Sequence, residues 1–177
     1  MAITKIQSES LNLSDTYDFT GTVTGAGGVN TPYFYARKTS GQTITNTVTT
    51  KVTFDSIILD TNSDWDATNN RFTPQTPGKY FFHTDIMIAV GAVSELIVSS
   101  VRLKKNDTTT ISYHQIDARN NYLGYSNNLC TSNIVDMNGT TDFMEVHAYA
   151  NDNSGNPEVA GNSNQSYTSF MAFKIIE

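Results

Sequence analysis

From Thr31 to the C-terminus the apolar residues come in short alternating runs, and turn-forming residues close almost every run. The longest run, Gly78 to Val90, places Tyr80, Phe82, Thr84, Ile86 and Ile88 on one face at a strict period of two. Such a pattern lets a strand bury one side, whereas a helix would scatter the same residues around its axis. Further strands are predicted from Pro32 to Ala36, Gln42 to Thr45, Lys51 to Leu59, Arg71 to Thr73, Leu96 to Leu103 and Thr109 to Ile116. Leu129 to Val135, Phe143 to Ala150 and Tyr167 to Ile176 complete a set of about ten, and no segment has helical periodicity of helix length. Many short strands with turns between them read as a sandwich or barrel.

Composition points the same way. Thr (25), Asn (18) and Ser (16) together supply 59 of 177 residues, while Asp, Glu, Lys and Arg make up only 16%. Thr favours strands, and Asn and Ser favour caps and turns over helix interiors, so the fold class is all-β. Asn138-Gly139, Asn106-Asp107, Pro77-Gly78 and Asn69-Asn70 are the turn dipeptides that bound the strands. The stretch Asn151 to Gln165 has almost no apolar residue and is expected as a surface loop.

Residues 1–30 differ from the rest. A short alternating run at Tyr17, Phe19 and Val23 ends at Gly25-Ala26-Gly27-Gly28, and the apolar residues are too few for a separate core. The expected organisation is an N-terminal arm, 1–30, serving anchoring or oligomer contact, hinged to a β domain at 31–177. A net charge of −6 provides no basic footprint for nucleic acid. No apolar run approaches the length of a membrane helix, and the opening residues lack the apolar stretch of a secretory signal, so neither membrane insertion nor signal-led export is expected. The lone Cys130 allows no disulfide within the chain and, in an apolar run, reads as a small buried hydrophobe.

Phe72-Thr73-Pro74 followed by Pro77-Gly78-Lys79-Tyr80-Phe81-Phe82 resembles the most recognisable stretch of the globular head of complement component 1q. Phe54-Asp55 before a polar loop, the turn Leu103-Lys104-Lys105-Asn106 and the closing run Ser169-Phe170-Met171-Ala172-Phe173 are similar to that family's motifs and follow its order. The resemblance covers roughly 32–177. It implies a ten-stranded jelly roll of the complement 1q and tumour-necrosis-factor type that assembles as a homotrimer; the chain is expected not to be an enzyme. The opening, Met1 to Leu13 with Thr20 to Gly25, is similar to the starts of tail-fibre and other virion proteins of bacteriophages, especially marine ones. That likeness implies a virion component, made in the host cytoplasm, whose arm docks on other virion proteins. Its outward loops would contact a host-surface glycan or protein; a capsid decoration or cement protein without receptor binding is the alternative.

Candidate site residues follow from local chemistry. Asp60, Asn62 and Asp64 space oxygen ligands as in the first half of a calcium loop, but Trp65 stands where that loop needs Gly and Arg71 where it needs Glu. No cofactor is therefore expected beyond a weak calcium possibility, with Asp64 as a ligand contact. Trp65 is either a stacking platform for a sugar or a cap on the core. Tyr122 and Tyr125 sit on an Asn/Gly-rich loop, a chemistry suited either to recognition or to subunit contact. Tyr33, Tyr35 and Phe173 are candidates for a trimer seam, where aromatics are enriched. His83, His114 and His147 lie in strands without a chelating pair of histidines, so structural or interface roles are expected. His83 and Asp85 share a face, yet no Gly-x-Ser-x-Gly elbow exists to build a hydrolytic triad around them.

Overall fold

A computed structural model describes residues 31–91, 96–119, 124–153 and 155–175. The expected arm, 1–30, and Tyr122 lie outside the described residues. Thirteen strands and no helix are present among the described residues. One sheet runs β10 (Ser126–Met137), β7 (Gly78–Ala89), β13 (Ser169–Lys174), β1 (Tyr33–Arg37), β4 (Ser56–Asp60). The other runs β5 (Trp65–Asp66), β6 (Arg71–Phe72), β11 (Met144–Asp152), β8 (Leu96–Lys105), β9 (Thr109–Asp117). These ten strands form a two-sheet antiparallel jelly roll, as the sequence led us to expect. Three short strands extend it: β2 (Gln42–Thr43) and β12 (Glu158–Val159) beside β7, and β3 (Thr50–Lys51) beside β11.

The core follows from the period of two. Tyr80, Phe82, Thr84, Ile86 and Ile88 all point inward from β7 and are at most 1% exposed. They meet Phe34 and Ala36 of β1 and Phe170 and Ala172 of β13 from their own sheet, and Phe72, Leu103, Met144, Val146 and Ala148 from the other. Phe34, Phe54, Phe72, Phe82 and Phe170 form a ring cluster with centroids 5–6 Å apart, the spacing at which edge and offset contacts are favourable.

Three expectations are corrected. Lys51 to Leu59 is not one strand: β3 belongs to one sheet and β4 to the other, and the chain crosses between them at Val52–Asp55. Val52 and Phe54 both bury there, and side chains bond the crossing backbone: Gln42 Oε1 accepts from Thr53 N–H at 2.9 Å and Asn70 Oδ1 from Phe54 N–H at 3.2 Å. The stretch Asn151 to Gln165 is not a plain surface loop. Val159 and Ala160 are buried, β12 pairs with both β2 and β7, and Ile44 N–H donates to Pro157 O at 2.9 Å. Cys130 is exposed, because Leu129 and Thr131 take the inward positions of β10 and alternation turns Cys130 outward.

The predicted turns have the backbone they need. Asn106 and Asp107 have φ of 55° and 58°, paired left-handed conformations at the centre of the turn that Thr108 N–H closes on Lys105 O at 3.3 Å, between β8 and β9. Gly139 (φ 72°) sits where a Cβ would come within 2.4 Å of Pro77 N.

Candidate functional site

The sheet β10-β7-β13-β1-β4 has a second face, turned away from the core, and its register lays side chains out in rows. Tyr33, Phe173, Phe81 and Ile134 form one row across four strands. Leu59, Tyr35, Met171, His83 and Ser132 form the next, and Arg37, Ser169, Asp85 and Cys130 the third. The first row is aromatic or aliphatic throughout, although no core packs against it. Tyr33 is 39% exposed and Ile134 54%, with Phe173 and Phe81 between them at a centroid distance of 5.2 Å. Leu59 on β4, at the edge of the sheet beside Tyr35, is also exposed and extends this surface. A contiguous apolar face of this kind on a folded domain marks a contact surface.

The second and third rows pattern this face with polar groups. His83 stacks on Phe81 and its Nε2 lies 3.0 Å from Asp85 Oδ2. Tyr35 Oη and Ser166 Oγ are 2.9 Å apart, and an Arg37 guanidinium N–H donates to Ser163 O at 3.2 Å. Tyr33, Tyr35 and Phe173, which the sequence suggested for a trimer seam, lie on one face. Phe81, Met171, His83 and Ile134 of the same face were missed. For Phe81 and His83 the signal was available, since they alternate with the inward residues of β7; Ile134 was hidden because Cys130, on the same side of β10, was expected to be buried.

The residues suggested for ligand binding lie elsewhere. Asp60 closes the turn after β4, accepting from Asp64 N–H at 3.0 Å and Trp65 N–H at 3.1 Å. Asn62 donates its amide to Asp64 Oδ1 at 3.0 Å, and Gln75 N–H donates to the same oxygen at 3.1 Å. Asp60 therefore spends its carboxylate on the turn's own N–H groups, while Asn62 and Gln75 both bond one oxygen of Asp64. Burial pushes the Asp64 carboxyl above the usual carboxylate range, with the Asp60 charge adding to it, against those two hydrogen bonds. Trp65 stacks on Phe34 (5.0 Å, 16°) and meets Phe54 and Phe170 edge-on, so one ring face lies against the aromatic core. Tyr125 is exposed just before β10, and its carbonyl accepts from Val90 N–H at 3.0 Å.

A third group lies on the outward face of the other sheet. Glu145 and His147, two apart on β11, are both buried, and Asp107 reaches them from the β8–β9 turn. Glu145 Oε2 is 3.1 Å from His147 Nε2, Asp107 Oδ1 is 3.6 Å from it, and Lys51 Nζ pairs with Glu145 Oε1. Burial holds the His147 imidazole below its ordinary pKa, against the pull of the Glu145 hydrogen bond. The Glu145-x-His147 spacing was visible in the sequence, but only pairs of histidines were considered there.

Comparison with known proteins shows the family and the fold. The sequence profile of the C1q domain matches residues 33–129, from β1 into β10 and more than half the chain. The chain belongs to the C1q domain family. The globular domain of the zebrafish complement 1qA protein superposes with a TM-score of 0.58 at 16% identity, covering 83% of this chain and 99% of that one. Eiger, a tumour necrosis factor from S. frugiperda, superposes at 0.60 with 9% identity, covering 82% and 92%. At these identities the two structures establish the fold alone. No curated protein matches the chain by sequence. C1q and tumour-necrosis-factor domains are generally binding or structural modules and commonly form homotrimers.

Proposed function

We propose that this C1q domain is a non-catalytic structural protein of a bacteriophage virion, a homotrimeric fibre or appendage component whose outward loops contact the host surface. The observation that carries the assembly half of this reading is the row Tyr33, Phe173, Phe81, Ile134, aromatic and aliphatic surface of the kind that subunits of a trimer cover for one another. Residues 1–30 then join the trimer to other virion proteins, and their likeness to the starts of phage tail-fibre proteins supports the virion setting. The many uncharged Thr, Asn and Ser groups suit close packing among identical subunits, with little like-charge repulsion. Binding would be by shape and hydrogen bonding, multiplied by three sites per trimer and many copies per particle. Tyr125, with Tyr122, is the proposed contact loop.

Electron microscopy of purified particles carrying antibody against the domain tests the reading. Label at a tail or fibre tip is expected, together with blocking of infection by added recombinant protein. Label in a regular array over the head shell assigns instead the decoration role without a receptor. Absence from particles discards both.

A further inference from the structure

We propose that Asp107, Glu145 and His147 form a binding site for a zinc-class divalent metal ion on the outward face of the β5-β6-β11-β8-β9 sheet, away from the assembly face. The first argument is distance. Three ligands bound at about 2.0–2.2 Å in tetrahedral geometry lie about 3.3–3.6 Å from one another. His147 Nε2 stands 3.1 Å from Glu145 Oε2 and 3.6 Å from Asp107 Oδ1, and the three donor atoms all fall within 4.8 Å of one another. One nitrogen and two oxygens suit a zinc-class ion better than calcium or magnesium, which take oxygen donors.

The second argument is burial. Glu145 is 1% exposed although it occupies an outward position of β11, where Met144, Val146 and Ala148 already supply the core face. A carboxylate stripped of water must be matched by positive charge or donors. Lys51 supplies one partner at Oε1 and leaves Oε2 turned toward the imidazole and Asp107. Lys51 thereby orients the carboxylate in the manner of an outer-shell partner of a metal ligand. Asp107 lies on the solvent side, its side chain 62% exposed, so an ion can enter and keep water in the fourth position.

Ion entry has a defined proton balance. Without metal, the neutral imidazole shares its Nε2 proton with Glu145 Oε2. Binding requires the tautomer protonated at Nδ1, so Nε2 offers its lone pair to the ion and no net proton need be released. The opposing groups are Lys104, whose Nζ lies 3.2 Å from Asp107 Oδ1 and competes with the ion for that oxygen, and Lys51, whose charge at Glu145 Oε1 also reaches Asp107.

The test uses the untagged full chain, with Co2+ as spectroscopic probe and Zn2+ in calorimetry. The expected result is one ion per chain, a Co2+ absorption band in the visible and a rise in Tm with added Zn2+. His147→Gln should abolish the band. Asp107→Asn lies on an exposed turn whose left-handed backbone Asn accepts, so it keeps the fold and should weaken Zn2+ binding about tenfold or more. Lys104→Met should tighten it. No Co2+ band and no Zn2+-dependent Tm shift in the wild type would overturn the site. So would binding that survives unchanged in both Asp107→Asn and His147→Gln, or that disappears with His114→Ala instead.

Discussion

Ile134→Asp isolates the assembly face from the stability of the subunit. Ile134 points away from the core and is 54% exposed in the single subunit, in register with Phe81. Full burial of an Ile side chain stabilises by about 2–3 kcal/mol, so the exposed half leaves about 1–1.5 kcal/mol to be gained when a neighbour covers it. A trimer has three such positions, which makes about 3–4.5 kcal/mol, or about two to three decades in the trimer association constant. Aspartate removes that gain and adds the cost of desolvating a charge, which moves the effect toward the upper end or beyond. Sedimentation velocity across a concentration series reads the shift directly, and thermal melting of dilute protein reads the subunit alone. The expected outcome is a trimer-to-monomer midpoint raised at least tenfold with the dilute Tm within a few degrees of wild type. An unchanged association constant in a folded Ile134→Asp variant would refute the argument that this row is the seam, and a wild-type chain that stays monomeric at micromolar concentration would refute assembly itself.

Three further outcomes follow from local geometry. Burial alone would raise the Asp55 pKa, but hydrogen bonds from the hydroxyls and N–H groups of Ser40 and Thr39 outweigh it and hold the carboxyl at about 2. A depressed folded-state pKa contributes stability above the unfolded value and loses it as pH falls, so Asp55→Ala should lower Tm by about 2–4 °C at pH 7, for roughly 1 kcal/mol after allowing for exposure. The difference from wild type should shrink between about pH 4 and pH 2, as scanning calorimetry would show. Trp65, the one tryptophan, stacks on Phe34, so its emission should be blue-shifted and poorly quenched by acrylamide in the folded protein; ready quenching would return it to the status of an open sugar platform. Gly139→Ala should cost about 2 kcal/mol or more in urea unfolding, because φ is 72° and a Cβ would press on Pro77 N at 2.4 Å.

How far the candidate sites could be read from sequence depended on the type of contact involved. Tyr33, Tyr35 and Phe173 were legible because an aromatic at an alternate strand position must face either the core or a partner. Joining them to Phe81 and Ile134 required strand order, since β1 and β13 are distant in sequence and pair with β7 and its neighbour only in the sheet. Trp65 was ambiguous in sequence because a residue beside a turn can point either way; the short β5 strand, paired with β6, turns it against Phe34. Asp107, Glu145 and His147 come from a hairpin turn and a strand 38 residues further on, and nothing local brings them together.

Strand existence, the inward set of β7 and the left-handed turns at Asn70, Asn106 and Gly139 were determined by sequence alone, because period-two burial and positive φ are local consequences of residue type. Tertiary structure decided where the chain changes sheets at Val52–Asp55, that Val159 is buried within a polar stretch, and that Cys130 faces out. It also decided which outward side chains share a face. Those outcomes depend on which strands become neighbours, a property set by packing the whole sandwich rather than by any one segment.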